Sequence, residues 1–278
     1  MESERRSCPS CAAAVAGAFC GTCGERLLGA NELTVRAQLE QLLTGLFTVD
    51  GRVLRTLVTL GFRPGKLAYD YCRGARVRHL KPVQVFLLAN VAYFLLQPYT
   101  GFNTFRSTLT LQIERQIYSE RLAEVVRARL AASGESMIEF AARFDARADS
   151  YARSLLILLA PLLGLALWAM DLRARRRTLV ESIVLATHFV AFALVFIYVG
   201  VLGALNVSFA LGLPSEGEAS GAFVTLPLLW LWCALALRRF YGLSNGVAVA
   251  RAALLTALLF PIVSIYRYVL FWITYWSV

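Results

Sequence analysis

Charge is scarce in this chain. Asp, Glu, Lys and Arg make up 17% of its 278 residues, against about a quarter in a water-soluble domain, while 58% are hydrophobic. That excludes a single soluble domain, a disordered chain and a coiled coil, each of which needs more charged or polar surface. Cysteine is scarce too. There are six, four of them in one short array, which excludes a disulfide-dense secreted module. No N-terminal stretch joins a basic region to a short apolar run and a small-residue cleavage site, so no cleaved leader is expected. The sequence also lacks a nucleophile elbow, a phosphate loop, a zinc-protease helix motif, a second metal cluster and an internal repeat. No catalytic residue is therefore assigned.

What the chain has is apolar length. Five runs are long enough to cross a hydrocarbon core of about 30 Å, which takes roughly 17 to 25 helical residues. They are Pro82 to Tyr99, Ser154 to Met170, Ser182 to Leu205, Ser220 to Leu237 and Ala252 to Trp276. The expected fold is an all-α membrane protein of five transmembrane helices. The expected division is a ribbon at 1–30, cytosolic amphipathic helices and a basic collar at 31–81, and a membrane domain at 82–278 with an outer helical insertion at 100–153.

The net charge of +10 is spread in a way that sets orientation. Residues before the first run carry 12 Lys and Arg against 7 Asp and Glu. The connection after the second carries Arg173, Arg175, Arg176 and Arg177, and the one after the fourth carries Arg238, Arg239 and Arg251. By contrast, Asn206 to Ala219 has no cation, and residues 100–153 balance 8 basic against 7 acidic. Cations in short flanks stay cytoplasmic, so the N-terminus is expected inside and the C-terminus outside. Tyr266, Tyr268, Trp272, Tyr275 and Trp276 gather at the far end of the last run, where amphipathic rings prefer the interface. The basic excess is thus explained by orientation and by attraction to an anionic bilayer, and nucleic acid is not needed as a partner.

The strongest motif comes first in the chain. Cys8-Pro9-Ser10-Cys11 and Cys20-Gly21-Thr22-Cys23 form two Cys-x2-Cys knuckles separated by eight residues. Each knuckle points two thiolates at one centre, and two knuckles complete a tetrahedral zinc site. Two disulfides are disfavoured because this segment is expected in a reducing cytosol. A redox Cys-x-x-Cys needs a free attacking thiol that four ligands do not leave. A closed site of this kind builds a fold and presents a surface, here to a cytosolic partner. Cys72 and Cys233 have no partner at ligand spacing and read as packing residues.

Two amphipathic stretches follow. Val35, Leu39, Leu42, Leu43 and Leu46 recur at helical spacing, and after Asp50 so do Val53, Leu54, Leu57, Val58 and Gly61, opposite Arg52 and Arg55. They lie either on the inner membrane face or against the ribbon and spans. Phe62-Arg63-Pro64-Gly65-Lys66 is then a turn, and Gly74-Ala75-Arg76-Val77-Arg78-His79-Leu80-Lys81-Pro82 is a collar before the first run. Arg63, Lys66, Arg73, Arg76, Arg78 and Lys81 are candidate headgroup contacts.

Together the ribbon, the amphipathic segment, the Phe-Arg-Pro-Gly-Lys turn and the Gly-x-Arg-x-Arg collar resemble an uncharacterised family of bacterial membrane proteins with an N-terminal zinc ribbon. The resemblance implies the bacterial cytoplasmic membrane and supplies no reaction. In that family a run like Val-Glu-His-Leu-Val-Phe-Ala-Leu-His-Phe-His opens the third span. Here Glu181 and His188 stand in it, with Ser182 and Val190 at the other two histidine positions. Glu181 and His188 share a helix face two turns apart, about 10 Å, too far to chelate one ion alone.

An ionisable residue within a span is a functional hypothesis by default, so Glu181, His188 and Arg267 are the candidate intramembrane polar site. The plainer expectation for His188 is a hydrogen bond to a neighbouring helix, and for Arg267 a side chain snorkelling to the outer interface. In 104–153, two apolar stripes separated by Ala131 to Gly134, with Ser136 and Glu139 spaced as a capping box, predict a helical hairpin. Two functions fit: a non-enzymatic scaffold or regulator working through the ribbon, or a transporter or lipid-handling protein working through the polar residues of the bundle.

Overall fold

The computed structural model describes residues 6–15, 17–25, 51–96, 105, 107–172, 174, 176–197 and 217–278. Among these the chain is mostly helical, apart from one short antiparallel pair, β1 (Arg6–Ser7) with β2 (Ala14–Val15). The helices are α1 (Arg52–Phe62), α2 (Lys66–Cys72), α3 (Pro82–Leu96), α4 (Leu109–Glu114), α5 (Ser119–Ser133), α6 (Met137–Leu155), α7 (Leu159–Asp171), α8 (Leu179–Phe192), α9 (Gly217–Tyr241) and α10 (Asn245–Ser277). The expected amphipathic stretch from Val35 to Leu46 lies outside the described residues.

Among the described residues, three stretches are long and apolar enough to cross a membrane: Met137–Asp171, Leu179–Phe196 and Asn245–Ser277. This is compatible with a membrane protein. The first expected run forms a shorter apolar helix, Pro82–Leu95, and the fourth falls within α9. The second expected run does not start a helix of its own. It continues from α6 through one 3-10 turn, Leu156–Leu158, giving a single helical stretch of 35 residues.

The chain divides into two compact units. The first comprises Met1–Leu95 and Ala160–Ala257, the second Leu96–Leu159 and Leu258–Val278.

In the first unit α1 and α2 pack on each other and on α8, and α2 also packs on α9. Close backbone approach makes this possible. Gly65 has φ +74, and a Cβ there would lie 2.7 Å from the Ala236 carbonyl oxygen, so only glycine suits this turn. A Cβ on Gly61 would lie 2.5 Å from the Phe196 ring. Trp232 stacks on Phe192 and donates its indole N–H to the Leu60 carbonyl at 2.8 Å, joining α9 to α1. Helix α8 starts at a capping box in which Thr178 and Glu181 satisfy each other's backbone N–H.

In the second unit α4, α5, α6 and the last turns of α10 share a core. Leu109, Leu122, Val126, Phe140, Phe144, Ala148, Phe271 and Tyr275 fill it. The Ser136 and Glu139 capping box forms as the spacing predicts, after Gly134 ends α5 at φ +69. Gln112 is fully buried and donates to the Arg267 carbonyl at 2.9 Å, while Tyr118 donates to its amide oxygen.

Candidate metal centre

Each knuckle is built by the same two backbone hydrogen bonds. Cys8 N–H donates to the Ala13 carbonyl and Ala12 N–H to the Cys8 carbonyl; Cys20 N–H donates to the Glu25 carbonyl and Gly24 N–H to the Cys20 carbonyl. The fifth residue of each knuckle must take a left-handed conformation. Gly24 does so at φ +71 without penalty, and Ala12 does so at φ +62 against its own Cβ.

The two turns bring four sulfurs together. Their Sγ atoms all lie within 4.8 Å of one another, with Cys8 to Cys23 and Cys11 to Cys20 at 3.6 Å. All six cysteines are free thiols. Such a set cannot ionise fully by itself. Backbone N–H groups of Cys23 and Thr22 pull the Cys20 thiol down to about 6. Cys23 receives a backbone hydrogen bond from Glu25, which lowers it, but desolvation and the three neighbouring thiols push it up to about 12. A bound cation is what allows four thiolates in so small a volume, so the donor set fits a metal ion. Cys72 and Cys233 stand apart and buried, and the Cys72 thiol is raised to about 12 by desolvation and then by Glu181.

Glu25, which sequence reasoning overlooked, connects this centre to the rest of the unit. It is 2% exposed. Its Oε2 accepts from the Ser10 hydroxyl, from Arg76 N–H at 2.9 Å and from Val77 N–H at 3.0 Å. One carboxylate oxygen thus joins the first knuckle to the collar, 51 and 52 residues along the chain.

The collar itself is fixed from inside. Leu80 N–H donates to the Thr56 hydroxyl at 3.1 Å, and Lys81 N–H donates to the Gln84 side chain at the start of α3. Arg76 lies over the Tyr71 ring, Arg73 donates to the Tyr69 hydroxyl, and Arg78 is exposed. In the turn, Lys66 pairs with Asp70 at 2.6 Å, and Arg239 of α9 donates to the Pro64 carbonyl at 2.7 Å.

Residues 50–94 match the family described as Protein of unknown function (DUF3667). The match covers α1, the turn, α2, the collar and nearly all of α3. The four-cysteine segment precedes it, and Glu25 is a side chain that bonds that segment to the matched region. No curated protein and no solved structure matches the chain.

The three candidate intramembrane residues are divided between the two units. Glu181 and His188 belong to the first unit and Arg267 to the second. Glu181 serves the helix end: besides capping Thr178, it accepts from Arg177 at 2.8 Å. Arg177 in turn donates to the Phe240 carbonyl at the end of α9 and stacks on the Phe240 ring. Asp171 nearby is 1% exposed and accepts from Arg251 and from Arg176 N–H. His188 is 2% exposed, and its Nδ1 lies 2.7 Å from the Val184 carbonyl. A carbonyl only accepts, so Nδ1 carries the proton. The expected bond to a neighbouring helix is therefore corrected: the ring bonds one turn back on its own helix, to the i−4 carbonyl.

Proposed function

We propose that this chain is a non-enzymatic scaffold or regulator of the bacterial cytoplasmic membrane, with five spans, a cytosolic N-terminus and an outer C-terminus. Its four-cysteine ribbon holds a structural zinc ion and presents a surface to a cytosolic protein partner. The observation that carries this reading is the closed four-sulfur cluster held against the collar by Glu25. A tetrahedral thiolate shell with zinc–sulfur bonds of about 2.3 Å has sulfur–sulfur edges of about 3.8 Å, close to the 3.6 Å pairs here. Four ligands leave no open position for substrate, which favours presentation over catalysis. Phe19, 63% exposed beside Cys20, is the side chain such a surface would offer, since aromatic anchors dominate recognition. The transporter reading has less support, because the Glu181 carboxylate is engaged by Thr178 and Arg177.

The test is affinity purification of the full chain from gently solubilised native membranes. A stoichiometric partner captured by wild type, lost from Cys20→Ser with Cys23→Ser and weakened by Phe19→Ala, is the expected result. Equal capture by all three chains would overturn the presenting role.

A further inference from the structure

The DUF3667 domain carries an outward face that its internal contacts leave unused. On α1 the buried side is Thr56, Thr59 and Leu60. Leu54, Val58 and Phe62, spaced four apart on the opposite side, are 70%, 50% and 80% exposed. Phe62 leads directly into Arg63. Arg63, Lys66, Tyr69 and Asp70, with Arg239 of α9, line an open cleft of about 490 Å³.

Three cations there meet one carboxylate. Asp70 is taken by Lys66, and among the described residues neither Arg63 nor Arg239 has a carboxylate partner. Arg239 uses one N–H on the Pro64 carbonyl, which fixes its guanidinium at the cleft wall and leaves its remaining donors. The Tyr69 hydroxyl accepts from Arg73 and so has its proton to offer.

The level of these groups along α9 gives the ligand its shape. The apolar run of α9 ends at Arg238 and Arg239. Leu60 is bonded to Trp232, seven residues or about 10 Å earlier. Helix α1 therefore packs beside apolar helix, and the cleft sits where that helix turns basic. We propose that the cleft binds the phosphate of an anionic phospholipid, with an acyl chain along Leu54, Val58 and Phe62. Soluble phosphate would match the cations but leave the apolar stripe uncovered; a lipid satisfies both. The inference rests on the membrane reading and is independent of the partner-presenting ribbon.

The experiment uses the full chain in mild detergent, incubated with phosphatidylglycerol or phosphatidylcholine, with retained lipid counted by native mass spectrometry. Wild type should retain phosphatidylglycerol over phosphatidylcholine. Arg63→Gln with Lys66→Gln should bind phosphatidylglycerol about tenfold more weakly and phosphatidylcholine unchanged. Phe62→Ser, at an exposed position that spares the fold, should weaken both lipids. Equal binding of the two lipids by wild type, or undiminished phosphatidylglycerol on the charge variant, would overturn the site. Displacement of phosphatidylglycerol by millimolar inorganic phosphate would also overturn it, by making the cleft a soluble-phosphate site. Release of the chain from membranes by alkaline carbonate would refute the membrane reading itself; a chain that resists carbonate and shows no lipid preference refutes the lipid site alone.

Discussion

In the first unit three carboxylates, two buried and one half-buried, each accept from two or more donors. Glu25 holds two collar amides, Asp171 meets Arg251 and Arg176 N–H, and Glu181 caps α8 while pairing with Arg177. In the second unit the corresponding interior is aromatic, with Phe140, Phe144, Phe271 and Tyr275 in mutual contact. The two share one device. Arg129 of the second unit stacks on Tyr275 and donates to its carbonyl at the end of α10, as Arg177 of the first stacks on Phe240 and donates to the Phe240 carbonyl near the end of α9. Cations at helix C-termini offset unsatisfied carbonyls in both. The difference teaches that the second unit holds mainly by aromatic burial around one buried amide, Gln112, while the first relies on several buried or half-buried carboxylates and on a cysteine cluster that fits a metal ion.

The largest expected effect separates the units outright. Structural zinc sites contribute about 10 kcal/mol or more, so stripping metal from the full chain should open residues 8–25 and leave 109–152 untouched. Hydrogen exchange on both segments checks this, and loss of protection across the second unit would erase the distinction. Next comes the aromatic core. Phe144→Ala should cost about 3–5 kcal/mol, seen as a lower denaturation midpoint, with metal content unchanged. A smaller effect belongs to the latch. Glu25→Ala leaves the Arg76 and Val77 amides without their acceptor and should cost about 1–2 kcal/mol, with Glu25→Gln recovering part of it by keeping an acceptor. Chelator competition reads the loss as earlier metal release. The smallest contrasts the two knuckles: Ala12→Gly should gain about 1 kcal/mol of ribbon stability by removing left-handed strain, and Gly24→Ala should lose a similar amount. Shifts of one sign for both substitutions would show that the knuckles are not equivalent turns.

What the sequence made legible follows the range of each interaction. The thiol cluster is local, two turns with fixed ligand spacing, and the four cysteines converge as that spacing predicts. The Ser136 and Glu139 capping box is equally local. The same spacing links Thr178 to Glu181, and it assigns that carboxylate to a helix end, which a span-centred reading of Glu181 passes over. Glu25 was not legible, because its amide partners lie more than fifty residues away. Helix α1 shows a different limit. Its apolar stripe of Val53, Leu54, Leu57, Val58 and Gly61 fits either a membrane-facing or a packed side; Thr56, Thr59 and Leu60 are the buried residues and Leu54 and Val58 are exposed, which goes against the packed alternative. A buried threonine hydroxyl must find an acceptor, and Thr56 finds the Arg52 carbonyl one turn back, so hydropathy alone does not pick the buried side of this helix.

The central claim of the proposed reading is that a metal bound by the four cysteines and the collar form one cooperative device through Glu25. Hydrogen exchange at the Arg76 and Val77 amides of the full chain, with metal bound and stripped, tests it most directly. Both amides should be protected with metal and exchange freely without it, while the Leu80 amide, held by Thr56, stays protected. Unchanged protection at Arg76 and Val77 while residues 8–25 open would contradict the account.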